Sequence, residues 1–415
     1  MHNPHTKNTV RYYLLAVIVL AFLFFSNDFG LTDVQKTAIV MAVGIDREEE
    51  NFILTSQIAI PQASTQGKAS EAVQLVSRGK TIAEAFEQIN AKTGWYPKLV
   101  FCKLILLGEK TCEQDVFDAL DFFLRDEYLT DDCLVAACDG LATEILNTSA
   151  LVDPSSSVAI GKVLSNHAER VGSVLPATLR DFSIGYFGDS KSSFLPLIKI
   201  EPQQEKVGQN ENTGGSNGEN TSSGGNTQSS QNSGSGSSAE GEKKEDKPVF
   251  SARETALFVA GKRVGTLTAE ETFAFSSVKN SLQLASYSVE TENNFCTLTI
   301  KQNDRKLKLQ VGKEGRANLT VDLTLTAGVS DYAASLPLEK ITDVGDVPSG
   351  VFTVAAKRLE GEIKTVFEKS RACGCDLFGL RERLIKHESR RLHKYASNLL
   401  DQTTAIVNVH FRNVR

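Results

Sequence analysis

Residues 203–247 constrain the fold more than any other stretch. Of these 45 residues only Val207 and Ala239 are hydrophobic, while Gly, Ser and Asn supply 24. Such a segment cannot offset its ordering entropy by burying apolar surface, so a disordered linker is expected. Pro202 and Pro248 bracket it. As a flexible coil its ends would lie about 35–40 Å apart, from about 5–6 Å times the square root of its length. It can also close a short gap cheaply, because closure entropy grows only logarithmically with length. The folded material must therefore come from the flanking stretches, 34–200 and 249–415, each long enough for its own core.

The rest of the chain can supply such cores. Hydrophobic residues make up 41% of the 415, which excludes a chain disordered throughout. The net charge of −6 argues against a general nucleic-acid binder. Only one apolar run is membrane-like, which excludes a polytopic transporter. That run, residues 12–25, is fourteen uninterrupted apolar or aromatic positions behind Lys7 and Arg11, and Ser26, Asn27 and Asp28 end it. A positive segment of residues 1–11 before an apolar run reads as a signal segment or anchor over 12–26. No small-residue cleavage site follows Phe25, which favours an uncleaved anchor. The positive-inside rule then keeps residues 1–11 in the cytoplasm and puts the bulk of the chain outside.

Before the linker, short strands alternate with helices. Strands are expected over 36–45 and 52–60 as a hairpin around an acidic turn, 46–51. Ile82, Ala85, Phe86 and Ile89 share one face of a helix over 81–91. Continuous apolar runs over 99–107 and 133–138 suit buried strands, with a helix over 114–125 between them. Helices near 155–169 and 176–182 lead to a strand over 194–200. After the linker a strand at 255–260 resumes, able to pair with 194–200, and continues past a turn through 264–267. Residues 284–325 alternate clearly, with Asn303-Asp304 as a turn between two strands. A helix over 351–369, a second near 379–400 and a closing strand around Val407, Val409 and Phe411 complete an antiparallel sheet with two helices. The class is α+β: up to three small domains of mixed or antiparallel sheets with packed helices, behind an N-terminal membrane anchor.

Chemical motifs are sparse. Gly79-Lys80-Thr81 looks like the end of a phosphate loop, but that motif needs Gly at position 74, which is Gln. Thr81 reads better as a helix cap. The six histidines show no metal-ligand spacing. The seven cysteines, Cys102, Cys112, Cys133, Cys138, Cys296, Cys373 and Cys375, are odd in number and contain no C-x-x-C. Cys373 and Cys375 read as two small, partly buried thiols. Acidic clusters such as 46–50 and Asp131-Asp132 read as solvated turn acids. No catalytic residue, metal site or cofactor is expected, and the chain reads as a non-enzyme. One charged feature stands out. Arg381, Arg383, Lys386, Arg390, Arg391 and Lys394 fall within fourteen residues. On a chain tethered to a membrane this basic helix is the candidate contact surface for lipid or an acidic partner.

The order of motifs resembles the Ger(x)C-type spore germination proteins, the C subunits of nutrient germinant receptors. Met41-Ala42-Val43-Gly44-Ile45-Asp46 resembles their opening strand. Gly79-Lys80-Thr81-Ile82 with Glu84-Ala85 resembles their first helix start, and residues 104–109 their next strand. Asp121-Phe122-Phe123-Leu124-Arg125-Asp126 is similar to a helix end of the family. Past the linker come Ala256-Leu257-Phe258, Gly265-Thr266-Leu267, Glu271-Thr272 and Asp376-Leu377-Phe378-Gly379. The resemblance implies an α+β fold of three small domains and a non-enzymatic receptor subunit on the outer face of the spore inner membrane. It implies a membrane-embedded A subunit and a transporter-like B subunit as partners, and no catalytic residues. A membrane-anchored solute-binding module is the alternative. Family members usually carry a lipidated Cys just after the apolar run, whereas Ser26, Asn27 and Asp28 stand here. A transmembrane anchor is expected in place of the lipid.

Overall fold

The computed structural model of the protein describes residues 4–26, 37–59, 72–150, 152–202, 249–291, 294–312, 316–334, 350–388 and 399–414. The expected linker at 203–247 lies outside the described residues. So do positions 389–398, which hold Arg390, Arg391 and Lys394.

Helix α1 (Pro4–Ser26) opens the chain. Its side chains are described over residues 11–22, and the large apolar ones among them are all exposed. Among the described residues, no helix is long and apolar enough to cross a membrane.

The first sheet begins with the hairpin β1 (Thr37–Glu48) and β2 (Asn51–Ala59), extended by β3 (Ala72–Gly79). Helix α2 (Ile82–Thr93) follows β3 directly. Its start is dictated by Thr81, whose side chain accepts from Glu84 N, and its end by Gly94, at φ 73°. Then come β4 (Tyr96–Lys98), β5 (Leu104–Leu107), α3 (Glu109–Cys112), α4 (Phe117–Arg125) and β6 (Leu134–Cys138). Helices α5 (Ala142–Asn147), α6 (Ser156–Val163) and α7 (Asn166–Arg170) precede β7 (Ala177–Thr178), α8 (Leu179–Phe187) and β8 (Ser192–Glu201). Strands β9 (Val249–Val259) and β10 (Lys262–Leu267) finish a ten-stranded sheet. Its main order is β10-β9-β8-β6-β5-β1-β2-β3. The four central strands β8, β6, β5 and β1 are mutually parallel, and hairpins flank them.

This topology explains the continuous apolar runs. A strand covered by helices on both faces has no solvent side to alternate with. Ile105 and Leu107 face Phe86, Leu120, Phe123 and Phe182 of α2, α4 and α8. Leu104 and Leu106 face Ile145, Leu146 and Ile160 of α5 and α6. The expected strand over 99–107 is shorter than its apolar run: 99–103 form a turn in which Leu99 and Cys102 are nevertheless buried.

The expected pairing across the linker is present, with Leu195 opposite Ala256 and Glu201 opposite Val249. Strand β9 serves two cores. Ala256 and Phe258 belong to that of the first sheet, and Leu257 points into that of the second.

The second layer opens with α9 (Ala269–Lys279), which periodicity misses. Its signal is a capping box, with Thr268 and Glu271 bonding reciprocally to each other's backbone. Strands β11 (Ala285–Thr291), β12 (Asn294–Val311) and β13 (Ala317–Ala334) are antiparallel. Helices α10 (Val351–Ala372) and α11 (Leu380–Glu388) lead to β14 (Thr403–Asn413). Helix α10 lays Leu359, Ile363, Val366 and Phe367 against Leu319, Val321, Leu323 and Val409.

Two expectations fail here. The second sheet is not wholly antiparallel: β14 runs parallel to β13, because the α10–α11 connection is a crossover, not a hairpin. Asn303 is not a turn residue. It sits within the continuous strand β12, buried, and the chain reverses after Val311 instead. Its Oδ1 accepts from Leu282 N at 2.7 Å, and its Nδ2 donates to Ser277 O at 2.6 Å and Asn280 O at 2.9 Å. Asn suits a turn because its amide can mimic backbone. Here it performs that mimicry on the segment leaving α9.

Candidate functional site

Three of the sequence motifs turn out to hold the scaffold. Asp46, expected as a solvated turn acid, is 3% exposed. It ends the buried part of β1 and caps α5, accepting from Ala142 N at 2.8 Å, Thr143 N at 2.9 Å and Thr143 Oγ1 at 2.7 Å. Gly108 is glycine for the same reason, since a Cβ there would collide with the Asp46 carboxylate. Gly79 makes the tight passage from β3 into α2, where a Cβ would fall 2.6 Å from Ala85 N. Lys80 N donates to Glu84 Oε2 at 2.7 Å and Glu84 N donates to Thr81 Oγ1 at 3.2 Å. These donors are the ones a phosphate would need, and the helix has already used them.

The motif at Asp376-Leu377-Phe378-Gly379 builds a junction between the layers. Asp376 sits between α10 and α11, its Oδ1 accepting from Leu380 N at 2.9 Å and its Oδ2 from Arg381 N at 3.0 Å. Its own N–H donates to Ser192 Oγ of β8 at 2.9 Å. Burial raises the Asp376 carboxyl above its ordinary range, opposed by the two backbone donors. Cys375 points its thiol at the Phe258 and Ser193 carbonyls, and burial pushes its pKa up to about 12. Phe378 packs edge-on against Phe275 and Phe367. Gly379, at φ 63°, lets the chain turn into α11.

A cavity of 380 Å³ opens beside this junction, lined among others by Asp181, Ser193, Phe194, Lys279, Asp376 and Glu382. Among the described residues its lining holds one cation, Lys279, which ends α9 and places Nζ over the Phe194 ring, 3.9 Å from the centroid. Burial of the ammonium lowers its pKa to about 8, against the opposing pull of Asp181 and Glu169, although the residue as a whole is exposed. The carboxylates beside it are occupied. Asp181 closes the capping box of α8 with Thr178, and Glu382 accepts from Ser190 Oγ at 2.8 Å. The cavity can take up a small polar molecule, with Lys279 the cation among the Asp181, Asp189, Asp376 and Glu382 carboxylates of its lining. Sequence reasoning missed Lys279, since it did not read α9 as a helix and Phe194 comes from β8, 85 positions earlier.

The basic helix is not a free cationic face over the part described. Arg381 donates from Nη1 to Asp189 O at 2.6 Å. Arg383 donates from Nε to Phe378 O at 3.1 Å and from Nη1 to Leu307 O at 3.5 Å. Both guanidinium groups tie α11 to its surroundings. Lys386 is exposed.

All seven cysteines are free, and only Cys373 is not fully buried. Burial pushes the Cys112 thiol up to about 12 and raises Cys138 as well. Thiols so placed are poor nucleophiles and poor ligands. Among the described residues no group of three His, Cys, Asp or Glu side chains could hold a metal ion.

Two family models match the chain. The spore germination protein N-terminal domain matches residues 31–200, and the spore germination B3/GerAC-like C-terminal region matches residues 253–413. The chain is 32% identical over 120 residues to spore germination protein B3 of Bacillus subtilis (strain 168). That stretch is 27% of this chain and 31% of the relative, so less than a third of the relative is spanned. Among solved structures, the crystal structure of the GerBC protein is similar with a TM-score of 0.51 at 16% identity. The similarity covers 89% of this chain and 96% of that one, and at this identity it speaks for the fold.

Proposed function

Because the chain belongs to the spore germination GerAC family, we propose that it is the C-type subunit of a nutrient germinant receptor. It acts through protein contacts at the outer face of the spore inner membrane, beside the A and B membrane subunits, and performs no turnover of its own. The observation that carries this reading is the match of both family regions to the two halves of one chain. Helix α1 is the anchor. At about 1.5 Å per residue its apolar run over residues 12–25 extends about 21 Å, short of a bilayer core of about 30 Å, and the rest of the helix is the polar segment 4–11. The apolar run continues in sequence to Phe25, beyond the described side chains.

The test is co-purification. A tagged chain taken from spore membranes in mild detergent should bring down the A and B subunits. A strain lacking it should fail to germinate on nutrients and still germinate on a trigger that bypasses receptors. Purification without either subunit, together with normal nutrient germination in the deletion strain, overturns the reading.

The cavity at Lys279 favours a second reading, a membrane-anchored module that binds the solute itself. Saturable binding of amino acids or sugars by the purified chain, lost on Lys279→Met, would select it over the first.

A further inference from the structure

The strand register gathers a set of exposed apolar side chains at one end of the first sheet. Tyr96 lies opposite Thr37, the first residue of β1, and Lys98 lies opposite Ile39. Ala59 ends β2 opposite the same Ile39, and Val73, the second residue of β3, lies opposite Ile58. The turn between β4 and β5 adds Val100 and Phe101, held there because Lys103 N donates to Met41 O. Trp95, Tyr96 and Phe101 are 42%, 50% and 57% exposed, and Val73 and Val100 are also exposed. Lys98 bends its ammonium over the ring of Tyr128, itself exposed, at 4.4 Å. Two apolar clefts open here, of 230 Å³ and 590 Å³. Ala38 lines one and Ile39 the other. Successive strand residues point to opposite faces, so the clefts flank the sheet end on both sides.

We infer that this end of the sheet, centred on Trp95, Tyr96 and Phe101, rests in the headgroup region of the bilayer that α1 enters. The inference builds on the anchoring proposed above. The covalent chain decides the occupant. Ten residues separate Ser26, the end of α1, from Thr37, and they can span at most about 40 Å. Thr37 is therefore the point of the first sheet nearest to the anchor along the chain, and the apolar patch surrounds Thr37. Trp and Tyr favour the membrane interface, where the ring meets acyl carbon and the polar edge meets water. Lys98 has the long stem that lets an ammonium reach phosphate while its carbons stay on apolar surface. The surface would hold the receptor domain in a fixed orientation, with the Asp376 junction carried on the same scaffold.

Trp95 is the sole tryptophan of the chain and reports directly on this surface. The full chain is reconstituted into vesicles of phosphatidylcholine and phosphatidylglycerol, with plain or brominated acyl chains. Emission is expected to be lower in the brominated vesicles than in the plain ones, as for an indole placed at the membrane interface. Acrylamide should quench it less than in detergent solution. Phe101→Asp, at an exposed position, should abolish the bromolipid effect while the protein stays with the vesicles through α1. Equal emission in both lipids from a vesicle-retained chain overturns the inference. If acrylamide is also excluded in that case, increasingly so with protein density, a second copy covers the patch instead. A chain released from the vesicles by carbonate removes the anchoring reading and this surface with it.

Discussion

Asp46 is the sharpest test of how this scaffold is held. Its carboxylate takes three hydrogen bonds from Ala142 and Thr143, 96 and 97 positions away, and joins β1 to the start of α5. Asp46→Ala removes all three acceptors and leaves two backbone donors in a site that is 3% exposed. Loss of an N-terminal cap costs about 1 kcal/mol. Hydrogen bonds to a charged partner contribute about 1.5–3 kcal/mol each and are not additive. Together they put the loss at roughly 3–4 kcal/mol, or about 6–16 °C in Tm for a cooperative unit of about 150–250 residues. Asp46→Asn keeps one acceptor and should fall between. Glu50→Ala, an exposed acid of the same hairpin turn, should stay within about 0.5 kcal/mol. Thermal and guanidinium unfolding of the full chain in detergent, followed by far-UV circular dichroism and Trp95 emission, measures all three. Gly108→Ala completes the cycle. Its new Cβ meets the Asp46 carboxylate, so its cost should shrink when Asp46 is already Ala. Equal stabilities for Asp46→Ala and Glu50→Ala, or an unchanged cost of Gly108→Ala in both backgrounds, would refute the capping account.

Asn303→Ala should cost about 2–3 kcal/mol, because two buried backbone groups and one partly buried one lose their partner, whereas a turn asparagine would tolerate it; equilibrium unfolding decides. Lys279 ties stability to alkaline pH. Its proton leaves the folded chain at about 8 and the unfolded chain near 10.5, so the unfolded state holds more protons between these values. Stability therefore rises with pH across that window, and Lys279→Met should flatten the rise in unfolding curves taken from pH 7 to 11. Replacing 203–247 by a short Gly/Ser loop should leave the β8–β9 hairpin intact and raise stability by no more than about 2 kcal/mol. A loss of cooperative unfolding in that deletion would show that the segment contributes to the fold.

Local pattern made most elements legible. The helix start at Thr81 follows from a hydroxyl cap before a run of i, i+3, i+4 apolar residues, and α2 begins one residue later. The β8–β9 pairing was readable because a polar stretch between two apolar strands can form a loop of any length. The basic run was readable as composition. Whether its arginines are free was not, since the Asp189 and Leu307 carbonyls that take Arg381 and Arg383 lie far off in the chain.

What the sequence determined by itself was of this kind: the α+β class, the apolar N-terminal run and the family's order of motifs. Each depends on periodicity or on residues close together in the chain. The tertiary structure alone decided where polar side chains go. Asp46 and Asn303 carry the composition of turn residues, and either would be solvated if its neighbours were only those in sequence. Each is instead buried against backbone donors or acceptors of another segment, and the desolvation of those groups makes the contact obligatory. The same holds for Lys279 over Phe194 and for the parallel β13–β14 pair. An amide or an ammonium has no periodicity to read, and its role is set by which distant backbone or ring the packed sheets bring within about 3–4 Å of it.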